Sequence, residues 1–120
     1  MSKSANPVDS LLPLPLPVFH MLLALTEGER HGLALRREIL RRTEGRVKLG
    51  SAALYGSISK MLDQGLIEES EERPDPHLDN ERRRYYRITR LGIRAAQAEA
   101  VRLGELVRLA ESSLGMRAVT

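Results

Sequence analysis

Three arginines and two tyrosines stand side by side in ERRRYYRITRLG, residues 81–92. A guanidinium group presents its donors in a fixed fork that suits phosphate, and a tyrosine hydroxyl can add a bond to the same oxygens. Alternation along an extended strand puts Arg83, Tyr85 and Arg87 on one face. Arg84, Tyr86 and Ile88 fall on the other, with Ile88 directed to the core. Two readings of the first face stay open. It grips a polyanion, or its arginines pair across a hairpin with Glu68, Glu69, Glu71 and Glu72. Each such pair would contribute roughly 0.2–1 kcal/mol. Those glutamates would repel a polyanion if they faced it.

A second candidate surface lies in GSAALYGSISKMLDQG, residues 50–65. Leu54, Ile58, Met61 and Leu62 recur at i, i+4, i+7 and i+8 and make the buried face of a helix. The opposite face carries Ser51, Ala52, Ala53, Tyr55, Gly56, Ser59 and Lys60. Side chains this small let a helix backbone approach base edges closely, while Tyr55 and Lys60 can bond phosphate. The plainer reading is an exposed helix face that is merely small and polar.

For the helix face, its setting favours the first reading; on the hairpin a compromise is expected, with Tyr86 packed inward, one or two arginines paired with glutamates, and the remainder facing phosphate with Tyr85. The formal net charge is only +3, but residues 29–48 hold seven Lys/Arg against three Glu, and residues 81–94 hold six Arg against one Glu. Residues 68–80, between them, hold six acids and one Arg. Basic charge clustered in this way is a nucleic-acid footprint. The arginines at 36, 37, 41 and 42 read mainly as a solvated helix face, with one or two able to reach a backbone. Other chemistries lack a residue set. There is no cysteine, and His20, His31 and His77 lie far apart without metal-ligand spacing. No glycine-rich phosphate loop or Ser/His/Asp set appears, so neither a cofactor nor an enzyme activity is expected.

The elements that must position these residues follow from pattern. A chain of 120 residues is one domain with a modest core, which a second copy would help to complete. The stretch LLPLPLPVFHMLLAL, residues 11–25, is interrupted by three prolines and preceded by Lys3 as its only basic residue. It therefore reads as an extended arm leading into a helix near Pro17, not as a signal peptide or a membrane span. A helix follows over about 32–42, VKL is at most a stub of strand, and Gly65 stops the helix that Ser51 begins. LIEESEER and RRRYYRI are strands flanking the loop PDPHLDNE. The chain closes on a long helix from Thr89 to about Leu114. Along it Ile93, Ala96, Ala100, Leu103, Val107, Ala110 and Leu114 form a heptad seam.

Placed in this order, HGLALRREI resembles the second-helix motif of the PadR-like transcriptional regulators. GSAALYGSISKMLDQGLIEE is similar to that family's recognition-helix signature, and RRRYYRITRLG to its second wing strand. The single C-terminal helix resembles the smaller subfamily. Leu33 departs from the aromatic residue often found after His-Gly. With no Trp in the chain, the family's mode of stacking flat aromatic ligands between tryptophans does not carry over.

The resemblance and the residues together predict a mostly α protein with a small β-hairpin, a winged helix-turn-helix plus a long C-terminal dimerisation helix. The expected organisation is an arm over 1–16, the DNA-binding domain over 17–88, the dimerisation helix over 89–114 and a tail over 115–120. The implied function is a cytoplasmic, homodimeric regulator, expected to be a repressor, that reads a palindromic double-stranded DNA site. Ser51, Ala52, Ala53, Tyr55, Gly56, Ser59, Lys60, Arg83, Tyr85 and Arg87 are the candidate DNA contacts. Phe19 and Leu22 join the seam as the candidate dimer interface, where a small-molecule effector is also placed. The alternative is a winged-helix module that binds protein without nucleic acid.

Overall fold

The computed structural model describes residues 8–77 and 81–117. Four helices carry the fold: α1 (Leu16–Leu25), α2 (Gly32–Arg42), α3 (Ser51–Asp63) and α4 (Arg90–Leu114). Strands β2 (Ile67–Pro74) and β3 (Arg82–Ile88) form the expected hairpin. A third strand, β1 (Arg30–His31), adds to the outer edge of β3 in the order β1-β3-β2, all antiparallel. The sequence reading missed β1 because a two-residue strand has no periodicity of its own. It also expected a strand stub at VKL, where the chain is irregular.

Helix α1 is almost wholly apolar and fills the middle of the core, with Met21, Leu22 and Ala24 fully buried. Leu35 and Ile39 of α2 and Leu54, Ile58 and Met61 of α3 close around it. Gly50, rather than Ser51, occupies the cap position of α3, and Ser51 is its first helical residue. Of the arm expected over residues 1–16, residues 1–7 lie outside the described residues and the rest is docked. Val8 and Leu14 are buried in the core, and the Leu14 N–H donates to Glu99 Oε1 of α4 at 3.3 Å. Glu99, itself buried, also accepts from Arg102 Nε at 2.9 Å and Nη2 at 2.8 Å. That charge-assisted fork holds its carboxyl below the usual range, against the opposing effect of burial.

The Thr-to-Gly step in RITRLG has a mechanical explanation. Thr89 Oγ1 accepts from Gly92 N–H at 3.0 Å and so caps α4, while the Thr89 N–H donates to Leu66 O at 3.0 Å. Gly92 then lies so close to the turn between α3 and β2 that a Cβ there would stand 2.2 Å from Leu66 O. The first turns of α4 are thereby fastened to the α3–β2 junction.

This docking divides the predicted seam. Ala96 is buried within the chain's own core, as is Leu22 of α1, because the start of α4 packs on α1. Neither is free to face a partner, which corrects their assignment to a dimer interface. Gly92, Ala95, Ala96 and Glu99 are the buried residues of α4, and the same face runs on uncovered through Leu103, Leu106 and Ala110. Val107, Leu109 and Leu114 beside it are exposed. On α1, Leu16 and Leu23 are exposed and Phe19 is half-buried, an outward stripe at i, i+3 and i+7.

Candidate nucleic-acid interface

The outer face of α3 is as the apolar spacing implied. Ser51, Ala52, Ala53, Tyr55, Gly56, Ser59 and Lys60 are all exposed. Tyr55 does not extend freely into solvent. Its ring lies across the first turn of α2, where a Cβ on Gly32 would meet Tyr55 Cε1 at 2.9 Å and the hydroxyl at 3.0 Å. Glycine at this position lets the phenol sit flat against the helix start with its hydroxyl at the surface of a cleft.

Two clefts flank Leu33. One, of about 330 Å³, lies between Tyr55 and the hairpin and is lined by Gly32, Arg82, Arg83 and Arg84. The other, also about 330 Å³, lies between α2 and the segment leading into α3, where Arg36, Arg37 and Lys48 converge around Leu33, Leu40 and Leu49. Two clefts thus lie near the N-terminal half of α3, one lined by unpaired cations and the other by hairpin arginines together with Glu81.

Ion pairing sorts the cations. In α2, Glu38 accepts from Arg42 Nε at 2.9 Å and pairs with Arg41 and, at 3.8 Å, with Arg30. The Arg41 and Arg42 guanidinium groups bring its carboxyl down to about 2. Among the described residues, Arg36, Arg37, Arg46, Lys48 and Lys60 have no carboxylate within ion-pair distance. The basic run of α2 thus has an engaged end and an open one, and the open one borders α3.

The hairpin arginines are mostly engaged. Arg87 donates to Glu68 Oε2 at 2.8 Å and lies 3.5 Å from Glu29, while Arg84 lies 3.6 Å from Glu69. Arg73 donates to Glu29 at 3.1 Å, and Arg82 to the Glu72 carbonyl. Ser70 donates a hydroxyl hydrogen bond to the Glu29 carboxylate, which with Arg73 and Arg87 lowers its pKa. For Arg87, a candidate phosphate contact, the structure shows the cross-strand pairing that was the other open reading, and Glu29, which precedes β1, brings a second acid to it. Arg83 is half-buried, 3.4 Å from Glu81, and lines the cleft beside Tyr55.

Tyr85 requires a correction. It was placed with Arg83 and Arg87 on an exposed face, yet it is only 7% exposed. β1 pairs His31 with Tyr85, and the imidazole meets the phenol ring edge-on at 5.2 Å between centroids. The Arg73 guanidinium covers the ring at 3.6 Å. Its neighbour Tyr86 is buried on the core side, as alternation required, and burial raises the pKa of its phenol.

The comparisons with known proteins bear on this geometry. A sequence profile described as the transcriptional regulator PadR-like family matches residues 21–98. A transcriptional regulator from Clostridium thermocellum superposes with a TM-score of 0.67 at 20% identity, covering 93% of this chain and 97% of that one. A PadR family transcription regulator from Clostridium difficile gives 0.68 at 15% identity, covering 83% and 99%. Bacillus subtilis PadR, in complex with operator DNA, gives 0.60 at 16% identity, covering 72% and 47%. At these identities the structures speak for the fold. A search of the curated proteins finds no match.

Proposed function

Because this chain belongs to the PadR-like family of transcriptional regulators, we propose that it is a homodimeric DNA-binding repressor acting in the cytoplasm. In this reading α3 enters the major groove of each half of a palindromic site, and the hairpin reaches the flanking backbone or minor groove. The observation that carries it is the pairing pattern. Among the described residues the cations beside α3, namely Arg36, Arg37, Lys48 and Lys60, have no carboxylate within ion-pair distance, whereas Arg41 and Arg42 at the far end of α2 and Arg84 and Arg87 of the hairpin are paired. A stable fold gains nothing from leaving like charges together; a phosphate backbone would neutralise them. Ser51, Ala52, Ala53, Gly56 and Ser59 lie against bases, Tyr55 and Arg83 against one strand, and Lys60 with the α2 cations against the other. The outward stripe of α1 and the uncovered half of α4 pack on a second copy, and a small-molecule effector is accommodated between them. No helix among the described residues is long and apolar enough to cross a membrane.

The test is selection of bound fragments from genomic DNA by the purified protein, followed by a salt titration on the enriched duplex. Arg36→Ala with Arg37→Ala should lower affinity for enriched and random duplexes alike and reduce the slope of log K against log salt by about 1 for each phosphate no longer neutralised. Ser59→Val on the base-facing side should instead relax preference at one position of each half-site. Absence of any duplex binding at low salt defeats the proposal.

A further inference from the structure

His31 is the one buried histidine among the described residues, 1% exposed, and it touches three elements at once. Its Nδ1 accepts the Ala34 N–H at 3.1 Å and so caps α2. Because Nδ1 accepts, the ring proton sits on Nε2. Nε2 in turn lies 2.7 Å from Asp75 Oδ2, at the start of the loop joining β2 to β3, and donates to it. The ring also packs edge-on against Tyr85 of β3. The next residue, Gly32, is the seat of Tyr55 from α3. Asp75 is itself set by the His77 N–H, which donates to Oδ1 at 2.8 Å, and these bonds lower its carboxyl pKa, the one from His31 most.

We propose that His31 and Asp75 form a clasp that positions the hairpin loop relative to α3, so that hairpin and recognition helix present one surface to DNA. The pair would act without touching DNA. Three features support a positioning role beyond stability. First, an N-cap needs only one acceptor, which serine or asparagine supplies; histidine adds a second, oppositely directed hydrogen bond. Second, the carboxylate it reaches belongs to the hairpin loop and not to the core. Third, the hairpin is packed into the core at its base, through Ile67 and Tyr86, while the linkage acts at its loop end, and hairpins of two long strands twist readily. β1 and the Glu29 pairs also tie the hairpin to the rest of the chain, but neither reaches the loop at Asp75.

This inference rests on the DNA-binding reading, and its test separates the two. Asp75→Ala removes the acceptor from a loop residue. His31→Asn keeps the cap acceptor for Ala34 but is too short to reach Asp75. Both are compared with the unaltered protein on the enriched duplex by hydroxyl-radical footprinting and salt titration. The clasp predicts that each variant loses the protection flanking the α3 site, keeps the protection at its centre, and shows a salt slope lower by about 1. The double variant should add nothing further. Asp75→Asn, whose single amide oxygen can still accept from Nε2 at the cost of the His77 N–H bond, should restore most of the flanking protection. Variants with lowered melting temperature but an unchanged footprint and slope would overturn the clasp and leave the DNA-binding reading standing. Failure of the unaltered protein to bind any duplex would remove both.

Discussion

The uncovered half of α4 gives the sharpest prediction. From Ala100 onward no residue of the helix is buried, and Leu106, Leu109 and Leu114 are 52%, 62% and 70% exposed. Full burial of such a side chain is worth roughly 1.5–3 kcal/mol, so covering the exposed part of each yields about 1–1.5 kcal/mol. With Val107, that is about 4–5 kcal/mol per protomer, and the α1 stripe of Leu16, Phe19 and Leu23 adds about 2–3 kcal/mol. A symmetric pair therefore gains about 14 kcal/mol against an association cost of roughly 4–15 kcal/mol. On the proposed reading both helices contribute to the dimer. Leu103→Glu combined with Leu106→Glu places four carboxylates in the interface and forfeits about 4 kcal/mol of apolar burial before any charge penalty. At about 1.4 kcal/mol per decade, dimer dissociation should rise at least about a thousand-fold. Sedimentation over a concentration series reads this directly. Circular dichroism offers a second readout, because an isolated helical segment of about 15 residues is marginal in water and should fray once its partner leaves. A dimer that persists unchanged in the double variant would show that the face is solvated and that the chain associates elsewhere or not at all.

Two further outcomes follow from the fold. Gly92→Ala should lower stability by about 2 kcal/mol and the melting temperature by roughly 10 °C at fixed protein concentration. The new Cβ would stand 2.2 Å from a backbone carbonyl that cannot turn aside, and a melting temperature at or above the original would refute that steric clash. Acid should release the Glu38 cluster. Its carboxyl is depressed to about 2, so its contribution is complete above the ordinary carboxylate range and disappears as pH falls through about 2. Because Arg41 is largely exposed, we expect the loss to be on the order of 1 kcal/mol, and Glu38→Gln should flatten the acid limb of stability against pH.

Much of this arrangement was legible in the chain because its helices announce themselves. Leu54, Ile58 and Met61 repeat at helical spacing, and all three are buried; RRRYYRI is bounded by loop residues on one side and a threonine cap on the other, and β3 has those bounds. What escaped the reading is what depends on contacts between distant residues. Nothing near Arg30 and His31 marks a strand, since the pairing is imposed by β3 from more than fifty residues away. With β1 unseen, Tyr85 had no reason to be covered, Glu29 no reason to meet Arg73 and Arg87, and His31 no partner in Asp75. The single omission of a two-residue strand thus accounts for the error at Tyr85 and for the unforeseen contact of Arg87 with Glu29; its pairing with Glu68 was one of the two open readings.

The same dependence explains why counting basic residues misleads here. RRRYYR has the denser charge, yet Arg82, Arg84 and Arg87 are each bonded to the acidic strand or to Glu29. The sparser cations Arg36, Arg37, Lys48 and Lys60 are unpaired among the described residues and flank the exposed face of small side chains on α3. A phosphate must compete with a nearby carboxylate for an engaged guanidinium, but meets no such competitor at a lone one, so the free energy available for DNA lies with the second group. In a hairpin so internally neutralised, shape rather than charge is what the fold contributes. That makes the angle of the hairpin, and the residues that fix it, matter more to recognition than its arginine content suggests.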